Sequence, residues 1–201
     1  MSRFSEAISE GDGISVIPVL EGDVEALAAI AEEAGAEGIA VRAADVERVR
    51  SRTGLPILAR DGDPAAVAAA GADAVVLSFE DTANDGRLEA FWELELDLDF
   101  AVDVREEDQL EDVLERIDPE IVLISEREVD ADEEDLELTL DLLADVPAGK
   151  LVVSEARIVS HEQVLALERA GVDAILVHGL PGDDAFRAAL EEIVHGPVDG
   201  L

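Results

Sequence analysis

The sequence has no cysteine, few aromatic residues and a single lysine, Lys150. The absence of cysteine excludes disulfide bonds, thiolate metal sites and a cysteine nucleophile. Aromatic residues make up only 3% of the chain, so a core has to be built from Ala, Val, Leu and Ile. Hydrophobic residues nevertheless reach 48%, which excludes a disordered chain and favours a parallel sheet buried by helices on both faces.

Basic residues are scarce as well: 14 Lys and Arg oppose 50 Asp and Glu, giving a formal net charge of −36. The carboxylates are spread along the chain, so they would repel one another in dilute buffer and be screened by salt. This composition is typical of a halophile's cytoplasmic protein; the alternative is a mesophilic acidic protein with a basic partner. Because no basic stripe is present, we expect no nucleic-acid partner.

Long apolar runs are missing too. No segment approaches the roughly 20 apolar residues that span a bilayer. Residues 1–13, MSRFSEAISEGDG, lack the apolar core of a signal peptide. We therefore expect a cytoplasmic protein with no membrane partner.

Short β-type runs alternate with helical segments from one end of the chain to the other. Asp23, the pair Asp63-Pro64 and Ser160 each precede a helical segment and have the residue types of helix N-termini. Eight strands are predicted, each followed by a helix, over residues 14–20, 38–41, 55–59, 74–79, 99–104, 121–125, 150–156 and 174–179.

Strands joined by crossover helices pair in parallel, and eight such units indicate a closed barrel. The predicted fold class is α/β, with residues 1–201 forming one compact (βα)8 TIM barrel. A doubly wound open sheet is the alternative, but the Gly-rich dinucleotide fingerprint of that fold does not follow the first strand.

Arginine is concentrated at the ends of the predicted strands, where barrels of this type carry their functional residues. Five of the thirteen arginines lie there: Arg42, Arg60, Arg105, Arg127 and Arg157. Guanidinium groups grip phosphate or carboxylate in a planar fork, so these residues predict a site for a small anionic metabolite. Most of them have an acidic neighbour, and a ring of ion pairs that neutralises the mouth is the alternative.

Two further residues at strand ends could transfer protons. Asp103, in the fifth strand, could act as a general base or pair with Arg60 or Arg105. His178, at the end of the eighth strand, could act near neutral pH or could be a hydrogen-bonded structural histidine.

The loop from Gly179 to Gly182 lies where such barrels often bind phosphate on backbone amides. Asp183 and Asp184 follow it, however, and would repel a phosphate while capping the last helix. The other histidines, His161 and His195, lie in a helix and in the C-terminal segment. Three scattered histidines predict neither a metal site nor a metal cofactor, and no other cofactor is expected.

Three segments resemble the indole-3-glycerol-phosphate synthase family: Pro56–Leu77 (PILARDGDPAAVAAAGADAVVL), Asp99–Leu114 and Asp135–Gly179. The resemblance implies a TIM barrel and a lyase of tryptophan synthesis, which decarboxylates a phosphorylated anthranilate derivative and closes its ring. It places Arg60 where the family has a catalytic lysine. It also places Asp103 and Glu155 at two strand-end glutamates of the family.

The chain departs from the family at several of these positions. Glu21-Gly22 stands where the family has a Lys and a Ser-Pro-Ser loop, and Arg157 replaces a phosphate-binding glycine. Arginine keeps its proton and cannot replace lysine as a general acid. Lys150 begins its strand, at the opposite end of the barrel.

The departures lead to one main expectation and two alternatives. We expect a synthase-like barrel that binds a small anionic metabolite, with the original activity lost or changed. Arg42, Arg60, Arg105, Arg127, Arg157 and Gly179 are the candidate binding residues, and Asp103, Glu155 and His178 are the candidate catalytic ones. The alternatives are an inactive paralogue that acts through protein contacts and a genuine tryptophan-pathway carbon–carbon lyase.

Overall fold

Eight parallel strands form a single sheet that curls into a nearly closed barrel, as the sequence predicts. The computed structural model describes residues 3–11, 13–82, 86–125, 136–158, 160–182 and 184–196. Along the sheet the order is β1-β8-β7-β6-β5-β4-β3-β2, and an isolated parallel pair, Val19 with Ala40, bridges β1 and β2. The strands are β1 Ser15–Pro18, β2 Ile39–Val41, β3 Ile57–Ala59, β4 Ala74–Ser78, β5 Asp99–Val104, β6 Ile121–Ser125, β7 Leu151–Glu155 and β8 Ala174–Val177.

Helices surround this barrel. They are α1 Arg3–Ser9, α2 Val24–Glu33, α3 Val46–Arg50, α4 Pro64–Ala70, α5 Phe79–Thr82, α6 Arg87–Trp92, α7 Glu107–Arg116, α8 Glu137–Leu143, α9 His161–Ala170 and α10 Asp184–His195, with a 3₁₀ turn at Ala43–Asp45. The strict one-to-one alternation of the prediction is therefore wrong in two places. A helix precedes β1, and two short helices rather than one follow β4.

The predicted helix starts are confirmed. The Asp23 side chain accepts a hydrogen bond from the backbone N–H of Ala26, and Asp63 caps α4 in the same way, with Pro64 in the first helical position. Ser160 forms a full capping box with Gln163 at the start of α9. Each cap satisfies a backbone donor that the first helical turn leaves without an intrahelical partner.

The interior of the barrel is filled by alternate residues of the strands, because successive side chains of a strand point to opposite faces. The inward residues form a cluster of mostly Ala, Val, Leu and Ile side chains: Ile17, Val19, Ala40, Leu58, Ala74, Ala101, Ile121, Leu123, Val153, Ala174 and Leu176. The other face of each strand packs against the helices in a second, larger cluster. On each strand, the residue two positions after the last inward apolar residue therefore lies at the mouth of the barrel.

Helix α1 covers the opposite end of the barrel. Phe4 and Ile8 are buried and pack against the inward cluster, and the backbone N–H of Ser5 donates to Oδ2 of Asp99 at the start of β5. No helix in the described part of the chain is long and apolar enough to cross a membrane.

Candidate functional site

A cavity of about 550 Å³ lies at the C-terminal ends of the strands, on the side of β3, β4, β5 and β7. This volume is within the range of about 300–1,000 Å³ that is usual for small-molecule sites. Polar, charged and apolar side chains share its wall: Arg60, Asp61, Gly62, Asp63, Val76, Leu77, Ser78, Asp81, Thr82, Arg87, Phe91, Asp103, Arg105 and Glu155.

Two side chains, those of Arg60 and His178, meet on one carboxylate at this mouth. Glu155, at the end of β7, accepts from Nη2 of Arg60 at 2.6 Å and is 2.5 Å from Nε2 of His178. Both contacts are made to the same atom, Oε1. Arg60, Glu155 and His178 each lie two residues beyond an inward apolar residue of their strand, so the alternation of the strands brings them together.

The charge of Glu155 follows from these partners. Burial alone would raise the pKa of the Glu155 carboxyl, but the hydrogen bond with His178 and the charge of Arg60 outweigh burial and lower the pKa below its ordinary value of 4.5. Glu155 is therefore ionised at neutral pH.

A second cluster is built around Asp103, which is buried at the end of β5. Ser125 Oγ donates to Oδ1 of Asp103, and Nη2 of Arg105 lies 3.1 Å from Oδ2. Arg105 also donates from Nε to Ser125 Oγ at 3.0 Å, and its Nη1 lies 3.5 Å from Oε2 of Glu80. The predicted pairing of Asp103 is thus made with Arg105, two residues along the chain.

Asp103 differs electrostatically from Glu155. Burial raises the pKa of the Asp103 carboxyl, and the hydrogen bond from Ser125 and the charge of Arg105 offset that rise only in part. The negative charge of Glu155 adds to the increase. The site therefore holds one carboxyl that readily gives up its proton and one that keeps it to higher pH.

The loop after β3 fixes one wall of the cavity. Asp61 Oδ1 accepts from the backbone N–H of Ala43 at 2.7 Å, which ties this loop to the one after β2. Gly62 has a φ of +106°, and a Cβ at this position would lie 2.7 Å from Cβ of Ala43 and 3.0 Å from Cγ1 of Val67. Only glycine suits both the backbone angle and the space.

Several predicted binding residues lie away from the cavity. Arg42 is exposed and makes no ion pair with any residue that the structure describes. Arg157 and Gly179 are exposed in the loops after β7 and β8 and do not line the cavity wall. Arg127 lies outside the described residues.

Sequence reasoning missed Ser78, Arg87 and Phe91 on the cavity wall, and Ser125 beside Asp103. Ser78 and Ser125 were detectable, because each lies two residues after an inward apolar residue of its strand, Val76 and Leu123. Arg87 and Phe91 belong to α6, and no local pattern indicates that this helix reaches the mouth.

Within the described ranges, no three His, Asp or Glu side chains lie close enough together to hold a metal ion. Glu155 and Asp103 are instead engaged in ion pairs with arginine.

Comparison with known proteins gives a consistent family. The family model for indole-3-glycerol phosphate synthase matches residues 20–181. The chain is 36% identical over 151 residues to the indole-3-glycerol phosphate synthase of Verminephrobacter eiseniae, covering 72% of this chain and 55% of that protein. It is 31% identical over 183 residues to the one of Geobacillus thermodenitrificans, covering 83% and 69%. The chain thus spans between about half and about two thirds of these relatives.

A solved structure has the same fold. A mutant tryptophan synthase alpha-subunit from Pyrococcus furiosus superposes with a TM-score of 0.70 at 16% identity. The match covers 90% of this chain and 97% of that one. At this identity the likeness concerns the barrel alone.

Proposed function

Since this chain belongs to the indole-3-glycerol phosphate synthase family, we propose that it uses the family's barrel mouth to bind a small anionic metabolite and does not catalyse the synthase reaction. The observation that carries the proposal is the presence of three arginines, Arg60, Arg87 and Arg105, on the wall of one cavity. Three guanidinium groups around one concave space suit a phosphate or a carboxylate.

Arg60 has donors left for a ligand. A guanidinium group carries five N–H donors. Among the described residues, the guanidinium group of Arg60 has one partner, the Glu155 carboxylate, and the Arg60 side chain is about 30% exposed. Glu155 thus fixes one edge of the Arg60 guanidinium group. The N–H donors of the other edge support the binding of a second anion.

The carboxylates of the cavity wall outnumber its arginines, and this bears directly on anion binding. Of the five, Asp61 and Asp63 accept from backbone N–H groups, and Glu155 and Asp103 pair with Arg60 and Arg105. The fifth, Asp81, accepts from Arg87 through its backbone carbonyl oxygen. Arg60 and Arg105 are thus held in place by acids.

The mouth of the barrel has no lysine, which bears on the synthase reaction. Arg60 lies at the position that resembles the family's third-strand lysine, and it keeps its proton at any ordinary pH. Lys150, the one lysine, pairs with Asp118 at 2.7 Å, at the N-terminal end of β7. No lysine amino group is therefore available at the mouth to protonate a substrate.

The surface offers little support for a role through protein contacts. In the described part of the chain, Leu94 and Leu140 are the large apolar side chains that are exposed. Single exposed leucines are ordinary features of a protein surface. We therefore favour metabolite binding at the mouth over a role through protein contacts.

Calorimetric titration in molar KCl tests the binding half. Sulfate, inorganic phosphate, ribose 5-phosphate and benzoate are the probes, and we expect at least one of them to bind. Arg60→Gln, Arg87→Gln and Arg105→Gln should each weaken that binding by about tenfold or more, because a charge-assisted hydrogen bond contributes about 1.5–3 kcal/mol.

Arg48→Gln is the matched control. It removes one positive charge from α3, where Arg48 pairs with Glu25 and Asp45 and does not line the cavity. Equal losses in Arg48→Gln and the cavity variants would show a general charge effect and contradict the proposal. So would a protein that binds none of the four probes.

A further inference from the structure

We infer that His178, held by Glu155, is the proton-transfer group of this mouth, and that Nδ1 of its imidazole takes the proton from a small anionic substrate. The inference rests on the proposed function, because the substrate is the anion that the arginines bind. It assigns proton transfer to His178, at a mouth that lacks the lysine of the family.

The tautomer of His178 follows from its partner. Nε2 of the ring lies 2.5 Å from Oε1 of Glu155, a carboxylate that can only accept hydrogen bonds when ionised. Arg60 donates to the same oxygen, which helps to keep Glu155 ionised. The proton of the neutral imidazole is therefore on Nε2, and Nδ1 carries the lone pair.

His161 has the opposite arrangement in the same protein. Its Nδ1 lies 2.8 Å from the backbone carbonyl oxygen of Ile193, which can only accept. The proton of His161 is therefore on Nδ1. This histidine links α9 to α10 and is part of the packing, so the two rings provide an internal comparison.

The arrangement around His178 suits proton transfer. The His178 side chain is about 38% exposed at the rim of the mouth, and its partner Glu155, which is only 15% exposed, lines the cavity. When Nδ1 takes up a proton, the ring becomes an imidazolium ion, and the ionised Glu155 stabilises it. An imidazole acts as a general base when a carboxylate orients it and stabilises its charged form in this way.

The proton balance of the step is simple. A proton leaves an O–H, N–H or C–H group of the bound anion and joins Nδ1, while the bonding electron pair stays on the substrate atom. Glu155 is a positioning residue and stays ionised throughout. The same proton returns from Nδ1 to the product, so no oxidant, reductant or second substrate is consumed.

The first test is long-range ¹H–¹⁵N NMR of the imidazole rings of the full chain in molar KCl. We expect Nε2–H for His178 and Nδ1–H for His161. Glu155→Ala, which removes the acceptor, should abolish the Nε2–H preference of His178 and leave His161 unchanged. An Nδ1–H tautomer for His178 in the wild-type protein would overturn the inference.

The second test measures protons directly. Benzoate binding is titrated calorimetrically near neutral pH in two buffers with different ionisation enthalpies. Because a bound anion favours the imidazolium form, wild-type protein should take up part of a proton per benzoate, and so should the control His161→Gln. His178→Gln should still bind benzoate but lose the dependence on the buffer.

The outcomes separate the two proposals. Binding of benzoate with the same proton uptake in wild type and His178→Gln would overturn the role of His178 alone. Failure of the wild-type protein to bind any of the four anionic probes would overturn the proposed function, whatever tautomer the NMR experiment finds.

Discussion

Arg60 and Glu155 join opposite sides of the barrel: Nη2 of Arg60, just after β3, lies 2.6 Å from Oε1 of Glu155 at the end of β7. Three strands lie between β3 and β7 around the barrel in either direction. The pair therefore ties the mouth together across its width, and the residues that bind a ligand also contribute to stability.

The pair predicts a pH-dependent loss of stability in Arg60→Met. Burial would raise the pKa of Glu155, but His178 and Arg60 lower it below 4.5, so its stabilising effect is complete above that pH and is lost as pH falls through the folded-state pKa. We expect the variant to lose about 1–2 kcal/mol of unfolding free energy at neutral pH. Urea denaturation in molar KCl should show the difference shrinking below pH 4.5. A difference that stays constant across this range would contradict the account.

Gly62→Ala should be much more damaging than a comparable glycine substitution. The new Cβ would combine a left-handed backbone at φ +106° with contacts of 2.7 and 3.0 Å to Ala43 and Val67. Gly171 has nearly the same φ, +103°, and open space around it, so Gly171→Ala is the control. We expect a loss of about 2–4 kcal/mol for Gly62→Ala, from backbone strain plus overpacking, and about 1–2 kcal/mol for the control. Equal losses in thermal or urea melts would show that the tight contact does not matter.

The strands were predictable because their signals are local. The apolar runs at residues 99–104 and 121–125 match β5 and β6 to the residue, and Asp63 and Ser160 mark the starts of α4 and α9 correctly. Helix α1 was not predicted, because Phe4 and Ile8 are buried only against the interior residues of the assembled barrel, and no local pattern in the sequence shows that contact.

The site was predictable in part for the same reason. The cavity is lined by four of the predicted residues at strand ends, as expected for a barrel of this type: Arg60, Asp103, Arg105 and Glu155. Which arginine pairs with which acid depends on the pairing of distant strands, and the sequence does not show it. The meeting of Arg60 and His178 on one oxygen of Glu155 is such a tertiary contact.

Salt should stabilise the whole molecule. With 50 acidic and 14 basic residues, the folded chain concentrates negative charge that molar salt screens to within a few ångströms. We expect the melting temperature to rise continuously from dilute buffer to molar KCl. A melting temperature indifferent to KCl would remove the halophile interpretation.

The family's reaction should be absent. The protein should fail to support growth without tryptophan in a halophilic host that lacks indole-3-glycerol-phosphate synthase, because loss of a positioned acid costs about 10²–10⁴ in rate. Arg60→Lys should not restore growth either, since Glu21-Gly22 still stands where the family has its first-strand lysine and loop. Growth with the wild-type gene would show that Asp103, Glu155 or His178 performs the proton transfer of the synthase reaction.

The central claim is that the mouth selects a negative charge, and it is tested most directly by comparing benzoate with benzamide in molar KCl. The two molecules have nearly the same shape, and only benzoate is an anion. The account predicts that benzoate binds at least about tenfold more tightly, a difference of about 1.4 kcal/mol. Equal affinity, or tighter binding of benzamide, would mean that Arg60, Arg87 and Arg105 serve only the protein's own carboxylates, and would contradict the account.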